Sequence, residues 1–555
     1  MSIMEEVKLS ELKNLLEGDV DTSREVLDVH SRDTSLFQRR PEVVVFPKHL
    51  EDVKKLVAWV RDKKEQNPGL SITGRSAGSD MTGGPLNDSI IVSTTRYLSH
   101  YTVNEKELTA TTEPGVFYRD FEKGTLPKEI EFPSYPASRR LAALGGIVMN
   151  NSAGEKTLRY GQTRDFVDEV EMVLSDGNAY KFGPLKLPEL QQKMEQQDFE
   201  GDLYRKLVPL IKDNNDLIKS AKPNVTKNSA GYALWRIWDQ SSDTFDLSQL
   251  FVGSQGTLGL LTKAKLRLVK EKPHKRMIVT FYKSWDDLPD VVNAVLPHDP
   301  ETLETFDRET LKLGLRFMPE VAKRAGESFV KFALRFIPEV GIGVRMLGMP
   351  KLIVLIELAE DSKEALDQKT EAITKALKPF RVWHRVLKRE PEMEKYLTMR
   401  HESFALLREH VKGKKTAPFV EDFAVLPERM PEFLPKMLAI LKEYGIKANI
   451  AGHAGNGNYH IIPLMDLNDP KEREKILPAA DKIYSLIIEY GGTITAEHND
   501  GIMRTPYLEE MYGEEVYDLF RQVKNILDPQ NIFNPGKKIG GTKEDIETYM
   551  APIEE

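Results

Sequence analysis

Leu50, Val53, Leu56, Val57 and Val60 recur at helical spacing with charged residues between them, which predicts an amphipathic helix over 50–64. Just before it, the apolar run from Val43 to Phe46 is closed by Pro47 and reads as a short strand. Residues 71–73 read as a strand running into a loop of small residues, 74–80. Short strands and helices alternate to about residue 269. Glycine punctuates this half at Gly83, Gly84, Gly115, Gly145, Gly146, Gly154, Gly161, Gly253, Gly256 and Gly259. Such a density of small residues suits backbone lying close against a large flat ligand. After 270–273 the pattern changes to longer helices with fewer glycines. Strands are expected at 276–282, 352–358, 449–453 and 459–464, and helices at 288–295, 362–377, 431–444, 472–490 and 509–527. The pattern divides the chain into a charged helical lead-in (1–34), a first domain (35–272), a second domain of α+β class (273–480) and a helical C-terminal segment (481–555).

A chain of 555 residues is too long for one core and fits two or three domains. Its net charge of -8 gives no general nucleic-acid footprint. With no cysteines it has no disulfides, no thiol nucleophile and no cysteine-ligated iron–sulfur cluster of its own. The N-terminus lacks the apolar core of a signal peptide, and no apolar run reaches the length of a bilayer span. A cytoplasmic protein is expected.

The chemistry concentrates near the C-terminus. Gly452-His453-Ala454-Gly455-Asn456-Gly457-Asn458-Tyr459-His460 joins two expected strands through a turn rich in Gly and Asn. A hairpin there would set His453 and His460 side by side. Glu497-His498 follows about forty residues later. Two imidazoles and a carboxylate suit zinc or manganese and leave positions open for substrate, with His498 as a spare base. The loop 74–80 is able to turn several backbone amides, with Arg75, onto a pyrophosphate. It is neither the GxGxxG dinucleotide fingerprint nor a Walker loop.

That loop is followed in order by Glu131-Phe132-Pro133-Ser134-Tyr135-Pro136, Leu144-Gly145-Gly146-Ile147, Asn151-Ser152-Ala153-Gly154, Leu158-Arg159-Tyr160-Gly161 and Val252-Gly253-Ser254-Gln255-Gly256-Thr257. The ordered series resembles the FAD-dependent D-2-hydroxy-acid dehydrogenases of the vanillyl-alcohol oxidase superfamily, over about residues 40–537. The resemblance implies an α+β fold: a two-subdomain PCMH-type FAD-binding domain, an α+β (ferredoxin-like) cap and a C-terminal helical segment. It implies FAD contacts at Arg75, Ser76, Ala77, Gly78, Ser79, Asp80, Pro136, Gly145, Gly146, Asn151, Gly154, Tyr160, Gly161, Gly256 and Asn534. Ser79 stands where some members tether FAD through histidine, so non-covalent FAD is expected. The metal would sit on His453, His460 and Glu497, with His498 as base and Arg400 and Lys415 as substrate cations. Ser76 and Ala77 replace the usual glycines, and Asn499-Asp500 replaces the usual Gly-Ile after the Glu-His pair. Phe404, one turn past Arg400, stands where a polar substrate contact is expected and favours a smaller or more apolar acid.

The implied reaction is oxidation of a 2-hydroxy acid of the D-lactate, D-2-hydroxyglutarate or glycolate type. A dioxygen-using oxidase and an electron-transfer flavoprotein subunit are the competing readings. Electrons would leave to a quinone, a cytochrome, or an iron–sulfur or flavoprotein partner. A homodimer is compatible with the sequence. Residues 311–350 carry Lys312, Arg316, Lys323, Arg324, Lys331, Arg335 and Arg345 against three glutamates, interleaved with apolar residues. A basic amphipathic helical pair is expected there, suited to peripheral contact with the inner face of a membrane or to a partner subunit.

Overall fold

The computed structural model describes residues 6–551 except 325, 381 and 411–414. Two sheets frame the N-terminal half. The first has four strands in the order Asp19–Asp21, Val43–Phe46, Ile90–Ser93, Ile72–Arg75, the last three parallel. Helix Leu50–Lys64 forms as its periodicity predicts, with Val53, Leu56, Val57 and Val60 buried against this sheet. The second has five antiparallel strands in the order Tyr101–Asn104, Thr109–Thr112, Leu260–Arg267, Val167–Val173, Ala179–Phe182. Residues 1–34 are more than a lead-in. Strand Asp19–Asp21 pairs with Val43–Phe46, and Leu12 and Leu16 are buried in the same core as Val53.

The C-terminal half is built on a wide antiparallel sheet. Strands Trp383–Leu387, His274–Tyr282, Leu352–Glu360, Thr302–Asp307, Lys447–His453, Asn458–Met465 and Lys415–Thr416 follow one another, and Phe423–Ala424 pairs with Asn458–Met465. Helices cover both faces. Leu352, Val354, Ile356 and Leu358 pack into the main core, while Ile353 and Leu355 pack under the helices that follow strand Thr302–Asp307. Burial on both sides explains the unbroken apolar run at 352–356, where each large side chain contributes about 1.5–3 kcal/mol.

Helix Ile476–Glu489 runs through position 480. The expected helix over 509–527 is two helices, Leu508–Tyr512 and Glu514–Leu527, broken at Gly513 with φ +79°. This tail returns to the N-terminal half. Phe520 packs edge-on against Tyr232, Lys524 Nζ donates to the Thr257 carbonyl (2.7 Å), and Phe533 bridges to Ile72.

A seam of charge joins the halves. Arg159 Nη1 donates to the Ala359 carbonyl (3.0 Å) and lies 3.4–3.5 Å from Glu301 and Glu360, while Lys156 pairs with Glu131 and approaches Glu301. Burial, with Glu155 and Glu301 nearby, pushes the Glu357 carboxyl up to about 7 despite Lys156. The folded chain therefore binds this proton more tightly than the unfolded chain, and the group costs stability as pH rises from about 4.5 to about 7. Glu357→Gln is expected to stabilise the protein by about 2 kcal/mol at pH 8 and by little at pH 4.5. Thermal melts at the two pH values check this; equal shifts at both would contradict it.

Candidate active site

Strands Lys447–His453 and Asn458–Met465 form the expected hairpin. Gly457, φ +62°, closes it where a Cβ would sit 1.8 Å from the Val425 carbonyl oxygen. The register sets His453 opposite Asn458 and His460 opposite Ala451, so the two histidines are diagonal rather than side by side. Their rings still meet, with centroids 5.2 Å apart. Glu497 reaches both: its Oε1 lies 3.4 Å from His453 Nε2 and 3.2 Å from His460 Nε2. All three side chains are buried, with ligand atoms within 4.8 Å of one another. His453 Nε2 is buried without a hydrogen bond among the described residues, an orphan of the kind a metal satisfies.

The supporting shell was not read from the sequence. Glu304, on the neighbouring strand Thr302–Asp307, accepts from His453 Nδ1 (2.6 Å) and so leaves Nε2 facing Glu497. Its other oxygen accepts from Arg400 Nη2 (2.9 Å). One carboxylate thus sets both a metal-type histidine and the substrate-type arginine. His460 Nδ1 is held by the Glu421 carbonyl oxygen (3.1 Å). The Glu421 side chain meets His498 Nδ1 at 3.0 Å and pairs with Arg504. Asp422 Oδ2 accepts from the amides of Ala496, Glu497 and His498 (2.8–2.9 Å) and from the Thr495 hydroxyl (2.8 Å). Asp422 lies near His460 and His498, but with its lone pairs so used it serves as the anchor of the 495–498 turn rather than as a ligand.

Electrostatics follow from this packing. Burial works against every charge here, and the neighbours outweigh it at most positions. Lys227 and His453 hold Glu497 well below the usual carboxylate range, and His498, Arg504 and His460 take Asp422 down to about 2. Asp422, Glu421 and Glu497 raise His498 well above ordinary histidine. Burial wins at His460, which is lowered. Lys227 is fully buried, its Nζ bonded to Glu497 Oε2 (3.0 Å), Asn458 Oδ1 (3.2 Å) and the Gly154 carbonyl (3.1 Å).

A cavity of about 720 Å³ connects this site to the first domain. Arg400, Glu421, His460, Glu497 and His498 line one end, and the 74–80 loop, Pro136, Gly145, Gly146 and Gly256 line the remainder. Arg75 faces the cavity, but its guanidinium donates to the Arg32 carbonyl (2.8 Å) and braces the loop from behind. Five expected contacts do not line the cavity. Asn151 holds the Arg164 amide, Gly154 packs against the Tyr135 carbonyl, and Tyr160 turns towards Glu301. Gly161 caps a short helix, and Asn534 ties Thr73 to the Gly84 and Gln255 carbonyls. They shape the cavity walls from outside. The backbone of Lys415 pairs with Met465; the side chains of Lys415 and Phe404 lie outside the described residues.

The profile of an FAD binding domain matches residues 41–183, and that of the FAD linked oxidases' C-terminal domain matches residues 271–538. The chain thus carries an FAD-binding domain followed by the C-terminal domain of the FAD linked oxidases. Among related proteins, it is 27% identical over 526 residues to a D-2-hydroxyglutarate dehydrogenase of Pseudomonas putida, covering 94% of this chain and 50% of that protein. It is 27% identical to glycolate oxidase subunit GlcD of Bacillus subtilis, over 92% of this chain and 91% of that protein. It is 26% identical to a D-lactate dehydrogenase of Archaeoglobus fulgidus, over 90% of this chain and 91% of that protein. The chain thus spans about half the length of the first of these relatives. In fold it is similar to 4-ethylphenol oxidase from Gulosibacter chungangensis, with a TM-score of 0.68, 17% identity and 97% of each chain covered. It is similarly close to p-cresol methylhydroxylase, with a TM-score of 0.67, 16% identity, and 97% of this chain and 96% of that one covered.

The cavity fits the cofactor of this family. Its volume is in the range of cofactor sites. A Cβ on Gly146 or Gly256 would meet nothing closer than 3.8 Å and would project into space a flat ligand needs. The Asn499-Asp500 variant also has a structural role. Asn499 Nδ2 donates to the Asn150 and Gly253 carbonyls (3.0 and 2.9 Å), and Asp500 pairs with Lys538 (2.8 Å), pinning the Glu-His turn to the flavin side.

Asp422→Asn puts an amide where four donors converge. It is expected to cost about 3–5 kcal/mol, as for breaking a buried charged network. Melting curves of the purified variant check this. A variant with native melting would contradict the anchoring role.

Proposed function

We propose that the protein oxidises a D-2-hydroxy acid to the 2-oxo acid, with non-covalent FAD and a divalent metal, zinc or manganese. The observation that carries this reading is the single cavity that runs from the glycine-lined cofactor end to Arg400, His460, Glu497 and His498. Arg400 binds the substrate carboxylate; its guanidinium fork suits two oxygens, and Glu304 keeps it in place. Glu421 holds His498 Nδ1 and leaves Nε2, 3.5 Å from Glu497 Oε1, to accept the hydroxyl proton. FAD, when bound, supplies the hydride acceptor, and a divalent ion on His453, His460 and Glu497 supplies polarisation of the hydroxyl.

Charge balance supports the metal. Glu304, Glu421, Asp422 and Glu497 are buried carboxylates, met by the three buried cations Lys227, Arg400 and Arg504. The excess negative charge raises His498 well above ordinary histidine in the protein alone. A divalent ion with a monoanionic substrate neutralises the set, and the added positive charge frees the imidazole to act as base.

The substrate end favours a small monocarboxylate. Ile462 and Thr398 line it beside Arg400, and the carboxylate of Glu394 would repel a distal acid group. The likeness to a glycolate oxidase subunit and a D-lactate dehydrogenase supports this direction, while the likeness to D-2-hydroxyglutarate dehydrogenases favours a dicarboxylate.

His498→Ala is expected to retain flavin and metal and lose at least about 10²-fold in kcat, the usual contribution of a general base. Arg400→Met is expected to raise KM for the acid far more than it lowers kcat. Dye-reduction assays with D-lactate, glycolate and D-2-hydroxyglutarate check both. Full turnover by His498→Ala would overturn the mechanism, and preference for D-2-hydroxyglutarate would overturn the monocarboxylate assignment.

A further inference from the structure

The 311–350 region forms four short helices, Arg308–Arg316, Met318–Arg324, Phe329–Leu334 and Ile337–Arg345, rather than a pair. Their inner face is well packed. Val321, Ala322, Phe332 and Phe336 bury Met399, the neighbour of Arg400, and Ile342 and Met346 pack with Tyr396 against the cap sheet. The outer face is apolar too. Ile337, Val340, Val344 and Leu347 follow one another at helical spacing and are exposed, Val344 by 70% and Leu347 by 91%. Phe329, Val330 and Leu334 of the preceding helix are exposed as well. A surface helix of a globular protein ordinarily carries one apolar stripe, and this one carries two. Nine of the fourteen large exposed apolar side chains of the described residues lie between 315 and 349.

Between 311 and 351 the exposed charges of the described residues are basic. Arg316, Lys323, Lys331, Arg345 and Lys351 are exposed. The acidic residues of the same stretch are turned inward: Glu327 pairs with Arg335, Glu339 with Arg385 and Lys395, and Glu320 is half-buried. A chain of net charge -8 therefore presents a local basic rim around an apolar centre. Apolar side chains ringed by Lys and Arg match the boundary of an anionic bilayer, where acyl chains take up the former and headgroups the latter. Among the described residues no helix is long and apolar enough to cross a membrane, so the contact lies in the surface.

We propose that this outer face docks the protein on an anionic lipid bilayer. Gly326, on the connection between the second and third of these helices, lines the same cavity as Arg400 and His498, so docking brings the substrate end of the cavity to the membrane surface. There a lipid-soluble electron carrier is at hand.

The test is flotation of the full chain with vesicles of phosphatidylcholine alone or with 30% phosphatidylglycerol. The protein is expected to float with the anionic vesicles, to float at least tenfold less with the neutral ones, and to be released by 0.5 M NaCl. The variant Val340→Glu/Val344→Glu/Leu347→Glu, altered only at exposed positions, is expected to stay with the buffer while keeping native melting and soluble-dye turnover. Failure of the unaltered protein to float, or equal flotation of the variant, overturns the proposal. So does a dimer that the variant converts to monomer without any vesicle binding, because the face would then be a protein interface.

Discussion

The site rests on one carboxylate oxygen. Asp422 Oδ2 gathers three consecutive amides and a hydroxyl from residues 495–498, a stretch with no helix or strand of its own. Those four hydrogen bonds turn an irregular segment into a rigid one and point Glu497 at His453 and His460. Immediately after it, Asn499 and Asp500 fasten the chain to the flavin-side domain, Asn499 through the Asn150 carbonyl and Asp500 through the Gly231 amide. The same turn is thereby referenced to the cap sheet through Asp422 and to the cofactor cavity through Asn499, which fixes Glu497 and His498 against both.

The second constraint is electrostatic. Buried carboxylates are tolerated only when paired, and each one here has a partner with a functional neighbour. Glu304 joins Arg400 to His453, Glu421 joins Arg504 to His498, and Lys227 sits on Glu497. The Glu304 and Glu421 pairings also select which ring nitrogen of His453 and His498 faces the centre, so at these two positions charge compensation and tautomer control are the same interaction.

Much of the fold was legible because periodicity reports burial. Helix Leu50–Lys64 and helix Leu288–Val295 lie where their apolar spacing placed them, and the hairpin at 447–465 follows from its Gly-Asn turn. His460, His498, Glu497 and Arg400 were legible as motif residues and line one cavity, with His453 buried against His460 and Glu497. What was illegible lies in long-range partnership. Glu304, Glu421, Asp422 and Lys227 sit in segments with no motif, and their roles depend on strand register and on contacts up to 270 positions apart. A faint signal existed. Glu304 and Asp307 interrupt a strand buried along its whole length, and a charge in such a place requires a partner. The diagonal offset of His453 and His460 and the break at Gly513 depend on register and on a single backbone angle, which spacing does not report.

The most direct test of the account is an anaerobic absorbance titration of the purified protein with D-lactate, glycolate, D-2-hydroxyglutarate and the L-enantiomers, each with and without chelator. Bleaching of the flavin band by a D-acid or glycolate but not by L-acids, lost on chelation and restored by zinc or manganese, is the predicted result. Flavin that stays oxidised with every acid, or that bleaches equally after chelation, would contradict it.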